Sequence, residues 1–244
     1  MQTEPNHPDN GGVSTADTGD KNDILIARSQ RRNFFLIFTS MTIVGWVVGG
    51  IASIGAEKAI TEQWIAHATP FVQELWYSWG SYVSITIFAI IFAADQVIAV
   101  HRYVSGWLWF LATSFGWVAA TKVSYAWITY IQSFAVSLNR ELSPKETIIF
   151  ALLSTGAYIF SGIWIGFFQW AVLRRYTKGA WWWNFLNSFS FFLISFLVLL
   201  LSLVQNFIPE VYRSQVLYLC EQGMTALILA IIPAIGWCRL KIRE

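Results

Sequence analysis

Charge is what this chain is short of. Asp, Glu, Lys and Arg make up only 12% of its 244 residues, against roughly 25% in an ordinary soluble domain. Histidine is scarcer, with His7, His67 and His101 the full set. Three histidines, one of them in the N-terminal tail, exclude a multi-His metal or haem centre. The two cysteines, Cys220 and Cys238, belong to no CxxC or Cys/His pattern. Within one helix they would lie about 27 Å apart, too far for a disulfide, and both read as small buried apolar residues. GxSxG, P-loop, HExxH and GxGxxG contexts are missing as well. No catalytic residue, metal ligand or cofactor is therefore assigned, and neither an enzymatic activity nor a nucleic-acid partner is expected.

What the chain has is apolar length. Apolar residues are 56% of the total and aromatic residues 17%. The charges sit in clusters between long apolar stretches, the pattern of a multi-span helical membrane protein. Residues 1–24 are polar and rich in Gly, Pro, Asn, Asp and Thr. They lack the apolar surface to offset their ordering entropy and read as a disordered tail, with residues 25–244 as one transmembrane domain.

Six stretches are long enough to cross a bilayer of about 30 Å: 34–55, 80–100, 107–128, 148–173, 181–204 and 215–238. In lipid a helix satisfies its own backbone, so the fold expected is an all-α, six-span bundle. The basic residues set its orientation. With the N-terminus cytoplasmic, Lys21, Arg28, Arg31, Arg32, Arg102, Arg174, Arg175, Lys178, Arg239, Lys241 and Arg243 fall inside. Only Lys58, Arg140, Lys145 and Arg213 fall outside, with Lys122 within a span. The positive-inside rule then places both termini in the cytoplasm. Trp107, Trp109 and Trp181-Trp182-Trp183 lie beside the basic elbows, where indoles favour the interface. The amphipathic stretch 57–79, with Pro70, reads as a helix lying on the outer membrane surface, and 129–147 as something similar.

The chain also repeats itself. Gln96, Arg102 and Tyr103 recur 73 residues later as Gln169, Arg175 and Tyr176. After one inserted residue, Trp107 and Ser114-Phe115 recur as Trp181 and Ser188-Phe189. Ala89 and Ala93 correspond to Gly162 and Gly166, both pairs at the small-xxx-small spacing that lets helices approach closely. Gly45-Trp46 in the first span matches Gly116-Trp117 in the third, and Ser190-Phe191 holds that place in the fifth. Gly45, Gly49 and Ser53 form one small stripe, Ala112, Gly116 and Ala120 another, and Ala226, Ala230 and Ala234 a third. The pattern suggests three helical hairpins descended from a unit of about 70 residues.

The segments QWAVLRRYTKGAWWWNFLNS and FLATSFGWVAA resemble those of uncharacterised polytopic membrane proteins common in cyanobacteria. In those proteins Q-W-x-V-L-R-R, a short turn, a Trp pair and a later Gly-Trp recur. The resemblance covers about residues 36–200 and weakens in the fifth span. It implies a bacterial integral membrane protein, in the inner or thylakoid membrane, and supplies no activity.

Ionisable groups inside spans are expensive and therefore informative. Asp95 shares a helix face with Arg102, which suggests a structural ion pair, the alternative being a cation or proton site. Lys122 and Glu221 both lie in the outer half, where a buried pair would fix helix register; contact with a solute is the alternative. Gln96 and Gln169 are read as interhelical hydrogen-bonding groups. The basic elbows (His101-Arg102, Arg174-Arg175) are topological signals that also suit anionic head groups. Two functions follow. One is a non-catalytic scaffold or accessory subunit working through helix–helix and lipid contacts, with the bilayer and other membrane proteins as partners. The other is a small-solute carrier, or the substrate-binding subunit of one, using Asp95, Lys122 and Glu221. A carrier requires a polar cavity at Lys122, Glu221, Asn184 or Asn187; a scaffold requires a filled core.

Overall fold

A computed structural model describes residues 24–62 and 69–243, the side chains of 70–78 excepted. The tail expected at 1–24 lies outside the described residues apart from Ile24. The chain is almost wholly helical: α1 (Arg31–Ile60), α2 (Pro70–Val100), α3 (Gly106–Ser137), α4 (Pro144–Leu173), α5 (Trp183–Val204) and α6 (Glu210–Trp237). Two short strands, β1 (Thr177–Lys178) and β2 (Lys241–Ile242), pair antiparallel. Helices α1, α2 from Trp79 onward, α4, α5 with its flanking turns, and α6 are long and apolar enough to cross a membrane. Helix α3 is not among these five, because Ser, Thr, Lys, Tyr and Gln dilute its second half.

Helices α1 to α4 run 30 to 32 residues each, or about 45 Å at 1.5 Å per residue. That length corrects the expectation of surface helices at 57–79 and 129–147. Apart from 63–68, which are not described, residues 57–79 are the end of α1 and the start of α2. Residues 129–137 likewise continue α3, and α4 begins at Pro144. Their amphipathic pattern is that of long helices emerging from an apolar layer. Proline starts these helices instead of breaking them, since its missing N–H costs nothing in the first turn. At α4 the start is reinforced by a capping box in which Glu146 N–H donates to the Ser143 hydroxyl and Ser143 N–H to the Glu146 carboxylate.

Each helix packs against its neighbours in sequence, and α1 also packs against α6, so the six close into a ring. The small residues sit at the seams. A Cβ on Gly45 would come within 2.8 Å of Asp95 Oδ2 on α2, and one on Gly49 within 3.2 Å of the Phe88 ring. Gly116 faces the Ile165 backbone of α4 at 2.9 Å. Gly162 and Gly166 press on the α5 backbone at Asn187-Ser188 and Asn184. Ala89 and Ala93 are fully buried on α2, as are Ala230 and Ala234 on α6. The exterior is apolar in turn, with Leu152, Phe160, Phe196, Leu199 and Leu219 exposed. Exposed too is Cys220, contrary to its expected burial, while Cys238 is half-buried. Among the described residues, that inversion of soluble-protein burial is what lipid as solvent requires.

At one end of the ring the residues that precede α1 meet those that follow α6. Ile24 bridges to Lys241 and β2 pairs with β1 in the α4–α5 elbow. Leu25 N–H donates to the Leu240 carbonyl at 2.9 Å and Arg243 N–H to the Tyr176 carbonyl at 2.9 Å. Gly179, at φ 68°, makes the turn out of β1 in a conformation that suits glycine. Arg28, Arg31, Arg32, Arg102, Arg174, Arg175, Lys178, Arg239, Lys241 and Arg243 all belong to this basic end.

Candidate functional site: a plugged end and an aromatic chamber

Behind the basic end the ring is filled by three tryptophans. Trp109 of α3, Trp183 of α5 and Trp237 of α6 are fully buried, with ring centroids 5.0 to 6.1 Å apart. Phe34 and Phe38 of α1 and the elbow residue Tyr103 pack onto the cluster. Trp109 and Trp183 are thus core residues, not interfacial ones as expected. Trp107 and Trp181, two positions earlier, are the exposed indoles.

Each of two buried indoles is held by a glutamine one elbow back. Trp109 Nε1–H donates to Gln96 Oε1 at 3.3 Å, and Trp183 Nε1–H to Gln169 Oε1 at 2.9 Å. Gln169 also donates from Nε2 to the Thr113 hydroxyl at 3.1 Å and accepts from Asn187 Nδ2 at 3.2 Å. That network joins α3, α4 and α5 with every member buried, the condition under which buried polar groups specify packing instead of weakening it. The two elbows are linked where Ser105 N–H donates to the Tyr176 hydroxyl at 3.3 Å. Trp237 Nε1 alone among the three has no partner.

Farther from the basic end the interior opens into a chamber of about 260 Å³. Trp46 of α1, Trp117 of α3, Tyr158 of α4, Phe191 of α5 and Leu229 of α6 line it. Trp117 lies 6.0 Å from Trp46 and 6.2 Å from Phe191, and Tyr158 stacks flat on Phe191 at 4.7 Å. The Gly-Trp and Ser-Phe sites of α1, α3 and α5 therefore meet here. Trp46 is fixed in turn, its indole N–H donating to Gln222 Oε1 at 3.2 Å.

Asp95, Lys122 and Glu221 are not brought together, and none of them lines the chamber. Asp95 packs against Gly45 and makes no ion pair with Arg102, because the carboxylate is turned into the α1–α2 seam while Arg102 lies beyond the helix end. Lys122 places Nζ 3.2 Å from the centre of the Tyr82 ring. The expected Lys122–Glu221 pair does not form, since α3 turns Lys122 toward α2 and Glu221 sits on α6, across the ring. The ion pairs among the described residues are Lys58–Glu62 and Arg140–Glu146, both at helix ends away from the basic face. Asn187 is bound into the Gln169 network, and Asn184 donates to the Trp181 carbonyl at 2.9 Å. No three His, Cys, Asp or Glu side chains among the described residues cluster to hold a metal.

Sequence reasoning missed Trp237, Tyr158 and the chamber. The signal for the chamber was present in the repeated Gly-Trp, which predicts helix contact but not that three such sites converge. No family model matches this chain, and neither the curated proteins nor the solved structures contain a match.

Proposed function

We propose that this chain is a non-catalytic six-span membrane protein, with both termini cytoplasmic, that serves as a scaffold or accessory subunit in a bacterial inner or thylakoid membrane. In this reading α3 is the sixth span, and the three hairpins derive from one ancestral unit. Partners are the bilayer and other membrane proteins, met along the exposed faces of α4, α5 and α6. The observation that supports it is the plug: three buried tryptophans fill the basic end of the ring, and the Gln169 side chain bonds Thr113, Trp183 and Asn187 beside them. A carrier needs a polar route through that end. Proteoliposome flux assays should show no saturable transport above empty vesicles, and mild-detergent purification should bring down other membrane proteins. Saturable solute flux by the lone chain would overturn the proposal.

The chamber favours a second reading, a substrate-binding subunit for a small apolar or aromatic solute, held among Trp46, Trp117, Tyr158 and Phe191. Quenching of Trp46 and Trp117 fluorescence by such solutes, lost in Tyr158→Ala, is the result that would favour it over the scaffold.

A further inference from the structure

We propose that the groove between the start of α1 and the end of α2 binds the head group of an anionic glycerophospholipid. The groove holds about 580 Å³ and has two kinds of wall. Phe34, Ile37 and Ile98 form an apolar side, with Ile37 and Ile98 half-exposed on the outer surface of the ring. Gln30, Asn33 and Arg102 form a polar rim, all exposed. None of these three side chains has a hydrogen-bond or ion-pair partner among the described residues.

Charge and shape select the occupant together. Arg102 presents a guanidinium that no carboxylate among the described residues neutralises, and a guanidinium meets a phosphate diester through paired N–H donors. Asn33 and Gln30 add neutral donors suited to the remaining phosphate and glycerol oxygens. His101, also in the groove wall, directs Nδ1–H onto the Ile98 carbonyl at 2.9 Å, which leaves Nε2 without a partner among the described residues. A free phosphate would use the rim and leave the apolar side wet. A lipid uses both, with acyl chains along Ile37 and Ile98 and the phosphate at the rim, the arrangement of basic pockets between membrane helices. At the other elbow the counterpart of His101 is Arg174, which stacks on Trp170 with 5.3 Å to the ring centre and whose carbonyl accepts from Arg243.

This inference rests on the membrane-embedded reading, and the experiment separates the two. The full chain is purified in mild detergent micelles doped with equimolar phosphatidylglycerol and phosphatidylcholine, and bound lipid is counted by native mass spectrometry. Failure to stay monodisperse in any detergent micelle would count against the membrane reading, not against the groove. Phosphatidylglycerol should be retained over phosphatidylcholine. Retention should fall about tenfold in Arg102→Gln, the expected loss of one charge-assisted bond, and partly return in Arg102→Lys. Arg175→Gln removes the same charge from the neighbouring elbow and should change little. Unchanged melting of each variant in phosphatidylcholine micelles shows that the fold is intact, and Ile98→Ser provides a second probe through the apolar wall. Equal retention of both lipids, equal loss in Arg175→Gln, or displacement by millimolar inorganic phosphate would overturn the proposal.

Discussion

Replacing Gly162 by Ala tests whether the α4–α5 seam is as tight as the packing requires. An added Cβ would lie 2.7 Å from the Ser188 nitrogen and 2.8 Å from both Asn187 C and Ser188 Cα. All three are backbone atoms, so no side chain can swing aside. The contact falls about 0.7 Å short of the 3.4 Å at which ordinary van der Waals contact begins, and α5 must move away to supply the difference. Moving α5 stretches the Gln169–Trp183 and Gln169–Asn187 bonds, whose glutamine lies about two turns along α4. Overpacking of this kind costs about 1–3 kcal/mol, partly offset by the roughly 0.8–1 kcal/mol by which Ala favours a helix over Gly. Gly156, on the same helix with nothing within 4 Å of its built Cβ, supplies the control, because there only the propensity gain remains. The two variants should differ by about 2 kcal/mol, or about 4–8 °C in melting temperature for a chain of this size. Thermal unfolding in detergent, followed by tryptophan emission, measures it. If Gly162→Ala melts with or above Gly156→Ala, the tight-seam argument is wrong.

Gln169→Leu should destabilise by about 2 kcal/mol, since it strands the Trp183 and Asn187 donors in a buried site; a melting temperature within error of the parent chain would refute the network's role. Trp237→Phe should cost about 1 kcal/mol less than Trp183→Phe, because only the Trp183 indole N–H has a partner to lose, and the same melting assay ranks them. Tyr82→Phe should preserve the Lys122 contact while Tyr82→Leu loses about 0.5–2 kcal/mol. A double-mutant cycle of Lys122→Met with Glu221→Gln should give a coupling near zero, and coupling above about 0.5 kcal/mol would show that the two charges do interact.

The helical membrane character was legible because the composition is so lopsided and the backbone has few options in lipid. The seams were legible too: Gly45, Gly49, Gly116, Gly162 and Gly166 each meet a neighbouring helix, as small-xxx-small spacing implies. Gln96 and Gln169 bridge to the next helix, as amides near an elbow suggest. What stayed hidden depends on helix rotation. Trp107 and Trp109 are two residues apart beside the same basic elbow, yet about 200° of turn sends one outward and the other into the core. The position of Lys122 along α3 does not say whether it faces α2 or the ring interior, and it faces Tyr82 of α2. The chamber is harder still, since its lining comes from five helices and exists only once the ring closes. Helix length misled as well, because the end of a long helix leaving the apolar layer carries the same amphipathic pattern as a helix lying flat.

The joining of Ile24, β1 and β2 has a consequence for how the molecule is made. Of the six helices α1 is synthesised before the others. Once α2 has covered one of its flanks, the other has no cover from this ring until α6 arrives. That flank must therefore sit beside lipid or a chaperone while α3, α4 and α5 are made, and residues 238–243 act as a clasp. Because residues 24–25 and 240–241 are already paired neighbours, splicing residue 243 to residue 24 through a short linker and reopening the chain between α3 and α4 should keep every seam while moving the clasp to a different pair of helices.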